Sequence, residues 1–342
     1  MIGISVYLSD EGAEESILRA SSLGIKLAFT SLHIPEESAY SSEHVRHLLS
    51  IFKREGFEVF ADVSKNTPSF LGLSHLEELK ELGVSALRLD DGFTAEELVD
   101  LSRHFQIAIN ASTVGERELL EWTSSGLETR NMIAWHNFYP KPETGLDQDY
   151  FMRQQRLFGA LDIPVYAFIP GDEGKRGPLY KGLPTLEDHR DRNPYTSAIQ
   201  LRHLGVQGVF IGDPEWSQEL LRKLVDHDQE NVMELSYDGL GEMEGEYQLR
   251  PDPGRDVYRL LDTRKSQDVP PSNTVERPRG TITQDNDLYG RYKGEMQIVR
   301  NDLEKNPAVN VIGRISEKDL DLLELMDPGQ KIRLTRGTDL SD

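Results

Sequence analysis

The sequence predicts an α/β protein, a TIM-type (β/α)8 barrel followed by a smaller, mostly β domain. Three observations carry that prediction. A short Leu-Gly signature recurs before apolar runs: "LGIKLAF" from Leu23, "LGVSALRL" from Leu82 and "LGVQGVF" from Leu204, with a looser copy, "LDIPVYAF", from Leu161. About eight such runs alternate with amphipathic stretches over the first two thirds of the chain. From about Asp226 the rhythm gives way to glycines, prolines and short β-rich segments.

Taken in order, the strands fall near residues 2–8, 26–32, 58–64, 86–90, 107–112, 132–138, 164–169 and 208–212. Leu-Gly steps before a strand mark a helix stopped by a left-handed glycine cap. "TAEE" from Thr94 and "TVGE" from Thr113 have the spacing of capping boxes, in which a side-chain oxygen and a Glu satisfy the first free amides. "SSEHVRHLLSIF" puts Val45, Leu48, Leu49 and Phe52 on one helical face. Eight strand–helix units in about 225 residues match the size of a closed barrel. A doubly wound open sheet is the alternative, weakened because no Gly-rich dinucleotide fingerprint follows an early strand. Alternation decides for closure. Leu87 and Leu89 oppose Arg88 and Asp90; Val59, Ala61 and Val63 oppose Phe60, Asp62 and Ser64; Ile107 and Ile109 oppose Asn110 and Ser112. Ile2, Ile4, Val6 and Leu8 likewise oppose Ser5, Tyr7 and Ser9. An open sheet covered on both faces is apolar on both, whereas a barrel can turn polar inside, towards its C-terminal mouth.

Domains are expected at 1–228 and 229–342. In the second, "GTITQDN", "GEMQIVRND", "NVIGRIS" and "KIRLTR" read as strands of a small barrel. "SEKDLDLLELM" reads as a helix capped by Ser316 with Asp319 three residues on, and "SQDVPPSNTVERPRG" as a long loop. The formal net charge of −21 over 342 residues argues against nucleic acid, which requires a basic footprint. The absence of cysteine excludes disulfides, thiolate zinc sites and cysteine nucleophiles. The N-terminus lacks the basic segment of a secretion signal, and no apolar run approaches the ~20 residues that span a bilayer. The expectation is a cytoplasmic protein without a membrane partner.

Function in such barrels gathers where strands end. Those ends hold carboxylates, amides, His and aromatic residues, but no metal-ligand spacing, nucleophile elbow or P-loop. No metal or cofactor is expected. Asp90 is the leading candidate for a catalytic acid or base, with Arg88 two positions before it and Asp62 on the neighbouring strand; an ion-paired plug of the three is the plainer reading. His33, Asn110, His136, Asn137 and Tyr139 are candidate sugar contacts, with Glu143, Asp172, Glu173 and Asp213 as further carboxylates. Of these, Asp172 joins Asp62 and Asp90 as a catalytic candidate, because glycoside hydrolysis requires a carboxyl pair. The stretch "IPGDEGKRGPLYKGLPTLEDHR" after the seventh strand has four glycines, three prolines and eight charged residues in 22 positions. Phosphate sites of barrel enzymes often follow that strand, so Lys175 and Arg176 are candidates to receive one; Pro178, Leu179, Tyr180 and Leu183 packing a lid is the structural alternative.

Several motifs, "FTSLHIPEE", "LRLDDGF", "HNFYPKPETGL", "RGPLYKGLPTLEDHR" and "RGTITQDNDLYGRYKGEMQI", resemble the bacterial 6-phospho-N-acetylmuramidases, a family long catalogued as a domain of unknown function under the label "outer surface protein". The resemblance spans nearly the whole chain. It implies a barrel followed by a cyclophilin-like domain. It also implies cytoplasmic hydrolysis of N-acetylmuramic acid 6-phosphate–N-acetylglucosamine in recycling of cell-wall fragments. A phosphosugar lyase or isomerase, or a non-enzymatic sugar-binding protein, are the alternatives. In the second domain, Tyr289 and Arg291 flank Gly290 and are expected to contact substrate and complete the pocket at the barrel mouth.

Overall fold

The computed structural model describes residues 1–32, 41–89, 92–239 and 242–337. Contacts divide the chain into two units, Met1–Val225 and Asp226–Asp342.

The first unit is a closed barrel of eight strands in sequence order. They are β1 (Ile2–Ser5), β2 (Leu27–Ser31), β3 (Glu58–Val63), β4 (Val84–Leu89), β5 (Gln106–Asn110), β6 (Met132–Trp135), β7 (Val165–Ile169) and β8 (Gly208–Ile211). Each neighbouring pair is parallel, and β1 pairs with β8 to close the ring. Among the described residues the α-helices that follow these strands are α1 (Ala13–Ser22), α2 (Ser42–Glu55), α3 (Thr67–Leu71), α4 (Ala95–Leu101), α5 (Glu116–Ser124), α6 (Gln148–Gly159), α7 (Pro194–His203) and α8 (Gln218–Glu230). None of the described helices is long and apolar enough to cross a membrane.

Local signals explain most boundaries. The Leu-Gly steps are turns with Gly24, Gly83 and Gly205 at φ of 86°, 99° and 89°, a region that a Cβ disfavours. Helix α2 starts where Ser41 accepts the amide of His44 at 3.2 Å, and it buries Val45, Leu48, Leu49, Ile51 and Phe52. Thr94 and Glu97 form the expected reciprocal cap of α4. The cap expected at Thr113 lies elsewhere. Helix α5 starts two residues later, capped at Gly115, whose amide donates to Glu118 at 3.2 Å, because Thr113 belongs to the turn that closes on Asn110.

Alternation sends one residue set out to the helices and the other into the barrel. Inside, Phe29, Phe60, Trp135, Tyr166, Phe168 and Phe210 meet. Trp135 lies with ring centroids 4.4 Å from Phe210, 5.1 Å from Phe60 and Tyr166, and 5.3 Å from Phe29. These residues come from strands that are not all neighbours, so only the interior can bring them together. Gly3 and Gly208 make room for the rings: a Cβ on either would sit 2.2 Å from Phe210 or 2.5 Å from Tyr166. The aromatic wedge fills the barrel and forms the floor of its mouth.

The second unit has seven strands: β9 (Val232–Gly239), β10 (Gly245–Gln248), β11 (Val257–Arg259), β12 (Thr281–Asp285), β13 (Met296–Val299), β14 (Val309–Ile315) and β15 (Lys331–Arg336). They form one sheet in the order β10-β15-β9-β14-β12-β13-β11. Its two edges meet at a single bridge between Leu249 and Leu260, so the sheet curls almost into a ring. Residues Glu317–Leu325 form a 3-10 run, not the expected α-helix. Ser316 does not cap it, and the buried Asp319 instead accepts the amide of Ser236 at 2.7 Å, tying the run to β9. The long loop at 266–280 is pinned by Val269 and Ser272, whose amides donate to Asp287 and Asn310 at 3.0 and 2.9 Å.

Candidate active site

The C-terminal ends of the barrel strands surround a cavity of about 200 Å3. Its polar wall is Tyr7, Ser31, Asp62, Arg88, Asn137 and Arg176, and its apolar wall is Phe29, Phe138 and Phe168 from the wedge and its edge. Register builds the polar side. Asp62 on β3 and Arg88 on β4 are direct neighbours, so both side chains point inward. Nη1 of Arg88 lies 3.4 Å from each carboxylate oxygen of Asp62, and Nη2 donates to Oδ1 of Asn137. Both charged side chains are mostly shielded, at 15% and 20% exposure, so each serves as the other's partner out of water.

Asn137 is itself held. Its amide donates to Oγ of Ser112 at 2.9 Å, and its carbonyl accepts from Oγ1 of Thr185 at 2.9 Å. Oδ1 of Asn110 accepts the amide of Ser112 at 3.0 Å, so Asn110 shapes the turn that presents Ser112. Burial raises the phenol of Tyr139, opposed by Ser112, Asn137 and the charge of Arg88. Tyr139 therefore stands beside the same network, half-buried.

On the other side of the mouth, the Arg176 guanidinium lies 3.8 Å from the centre of the Tyr7 ring. Tyr7 is buried and donates from its hydroxyl to the carbonyl of Gly212 at 2.6 Å; burial pushes its phenol well up. Arg176 is also fixed through its backbone. Asp213, fully buried, accepts the amides of Gly171, Arg176 and Leu183 at 2.9, 3.1 and 3.2 Å, and Lys175 lies 3.8 Å away. Asp213 is thus a cradle for the loop after β7. At the rim, Asp10 is raised by burial and then by the charge of Glu215, with Arg176 opposing.

That loop is gripped a second time. Arg190 is 7% exposed and bonds Glu187 through Nε at 2.6 Å and Nη2 at 2.7 Å. It also donates to the carbonyls of Lys181 and Gly182, and to that of Lys141 on the loop after β6. Glu187 in turn accepts the amides of Glu143 and Gly145 at 2.8 and 2.7 Å. The Arg190 bonds, followed by those two amides, hold its carboxyl down at about 2. Leu183 packs inward as a lid residue would, but Leu179 and Tyr180 stand out at 46% and 68% exposure.

Of the residues expected at the site, Asp62, Arg88, Asn137 and Arg176 share the cavity, and Asn110 and Tyr139 support it. Asp90 and His33 lie outside the described residues. His136 is a correction. It is fully buried on the opposite face of its segment, its ring centroid 4.6 Å from that of Phe151 of α6 in a tilted contact, and burial pushes its imidazole down to about 3. Its neighbours Trp135 and Asn137 have the inward parity. Asp172 is a second correction. Its oxygens accept the amide of Ser217 at 2.8 Å and the Ser217 hydroxyl, so it braces the start of α8 instead of entering the cavity. In the second unit, Tyr289 accepts from Asn306 at 2.9 Å, and Arg291 donates to the Tyr292 hydroxyl at 2.6 Å. Sequence reading passed over Ser31, Phe138, Asp10 and Glu215; Asp10 and Glu215 stand just past strand ends, the signal that picks out mouth residues. Among the described residues no group of three or more His, Asp or Glu is placed to hold a metal.

Comparison with known proteins places this geometry. A search of curated proteins gives no match. A conserved protein of unknown function from Enterococcus faecalis, solved by crystallography, is 37% identical over 98% of this chain and 96% of its own, with a TM-score of 0.85. An uncharacterized Bacillus cereus protein is 26% identical over 98% of this chain and 99% of its own, with a TM-score of 0.78. Residues 2–226 match the model of the 6-phospho-N-acetylmuramidase N-terminal domain, and residues 228–335 match that of the C-terminal domain. With both halves matched in order, the chain belongs to the 6-phospho-N-acetylmuramidase family.

Proposed function

We propose that the protein hydrolyses the glycosidic bond between N-acetylmuramic acid 6-phosphate and N-acetylglucosamine, as a cytoplasmic step in recycling cell-wall fragments. The observation that carries the reading is an inward carboxylate, Asp62, sharing one cavity with two guanidinium groups in a chain matched at both halves to that family. Glycoside hydrolysis needs one carboxylate and one carboxylic acid across the scissile bond. Asp62, facing the cavity beside Arg88, suits the carboxylate role. On sequence grounds Asp90 is assigned the acid. Asn137 and Tyr139 suit sugar hydroxyls, and Arg176, anchored on Tyr7, suits the phosphate.

Incubation with the phosphorylated disaccharide, read by mass spectrometry, tests the reading. Release of free N-acetylglucosamine and the phosphosugar supports it. An unsaturated or rearranged product would indicate a lyase or isomerase, and an intact but bound disaccharide a binding protein.

A further inference from the structure

Tyr180 has an exposure and a backbone conformation that packing does not explain. It is the most exposed large apolar side chain among the described residues, at 68%, and its φ is +53°, in the region that favours glycine. Strained positions that persist are held by their surroundings and cluster at ligand clamps. Here the holding is visible: the loop is tied by Asp213 and by Arg190, and the Tyr180 amide donates to the carbonyl of Arg176 at 3.2 Å. A Cβ on Gly177 would lie 3.0 Å from the Tyr180 hydroxyl, so one side of the ring lies along that backbone and the rest is open.

The same turn therefore carries Arg176, which lines the cavity, and, four residues on, the exposed Tyr180, whose amide is bonded to the Arg176 carbonyl. The cavity is about 200 Å3, below the roughly 300–1,000 Å3 of pockets that enclose a drug-sized ligand. A disaccharide exceeds it, so part of such a ligand must rest outside.

We infer that Tyr180 is a stacking platform for the second sugar ring of the substrate, outside the cavity, and so a specificity determinant for disaccharides over simple glycosides. This rests on the proposed hydrolase reading. Sugar rings present an apolar face that suits an aromatic ring with a polar tip. The left-handed backbone is retained because the ring is needed where glycine would be more comfortable.

The test compares Tyr180→Gly and Tyr180→Phe with the parent chain on two substrates, the phosphorylated disaccharide and the methyl glycoside of the phosphosugar. Tyr180→Gly should lose roughly three- to tenfold in kcat/KM on the disaccharide, mainly through KM, and nothing on the methyl glycoside. Tyr180→Phe should retain both activities. The urea midpoint of Tyr180→Gly should stay equal or rise, whereas a ring with a structural role would lower it. Equal losses on both substrates, or none on the disaccharide, would overturn the inference. A second arm needs no turnover: saturation-transfer NMR with N-acetylglucosamine alone on the full chain. Its signal should be weakened by Tyr180→Gly and kept by Tyr180→Phe; an unchanged signal in Tyr180→Gly refutes the platform. Failure of the parent chain to hydrolyse the disaccharide, with this NMR difference intact, would sink only the hydrolase reading.

Discussion

Replacing Arg190 by Met should loosen the loop that carries Arg176 and Tyr180, and the structure sets the size of the effect. Arg190 is 7% exposed and makes five hydrogen bonds, two to Glu187 and three to the carbonyls of Lys141, Lys181 and Gly182. Removing one partner of a buried pair costs about 3–5 kcal/mol. The Glu187 side chain is 30% exposed, which lowers the expectation to about 2–3 kcal/mol. The lowered carboxyl of Glu187 leads to a similar figure. Its carboxyl is held at about 2 against an ordinary 4.5. At about 1.4 kcal/mol per pKa step, that is roughly 3 kcal/mol before solvent screening and about 2 after it. A depressed carboxyl stabilises fully above its unfolded pKa. The contribution is therefore complete above about pH 4.5 and fades as pH falls towards about 2. All three tryptophans, Trp122, Trp135 and Trp216, lie in the first unit, so tryptophan fluorescence in urea reports that unit alone. The difference between parent and Arg190→Met should be about 2–3 kcal/mol at pH 7 and shrink between pH 5 and 3. A difference below about 0.5 kcal/mol, or one independent of pH, would refute the clamp.

Asp62→Asn should lower turnover at least ~10²-fold with folding kept, as should Asp90→Asn on sequence grounds; near-normal turnover by a folded variant would remove that residue from the chemistry. Arg176→Ala should raise KM for the phosphorylated disaccharide roughly tenfold and matter little for an unphosphorylated analogue, and equal losses on both would make Arg176 structural. In the second unit, burial and then the charge of Glu295 raise Asp285 to about 7. Its folded pKa lies above its unfolded value, so stability of that unit should fall as pH rises from about 4 to about 7 and level off above. Asp285→Asn should abolish the slope, followed by hydrogen exchange at β12 and β13; a slope that persists in the variant would assign it to other groups.

The barrel was legible because its signals are local. A glycine that takes a left-handed φ marks the stops of α1, α2, α3 and α7, and a period of two marks which residues of a strand share a face; both survive without tertiary information. Asp62 and Arg88 were placed on the inner face by parity alone, as the structure has them, and parity extended to the segment of Trp135 would have turned His136 outward. Asp172 was not open to that reasoning, since its partner Ser217 lies 45 residues away and follows a different strand. The loop after β7 looked shaped from its prolines and glycines. Only the folded chain shows how it is shaped: Asp213 and Arg190 gather amides and carbonyls from three separate segments, and Tyr180 is left outside. Sequence by itself determined the repeating unit, the inward polar set and the family, because these follow from spacing along one chain. Which carboxylate meets which guanidinium, and which become cradles, was decided by closure of the barrel, because hydrogen-bond partners distant in sequence are chosen by register and not by propensity.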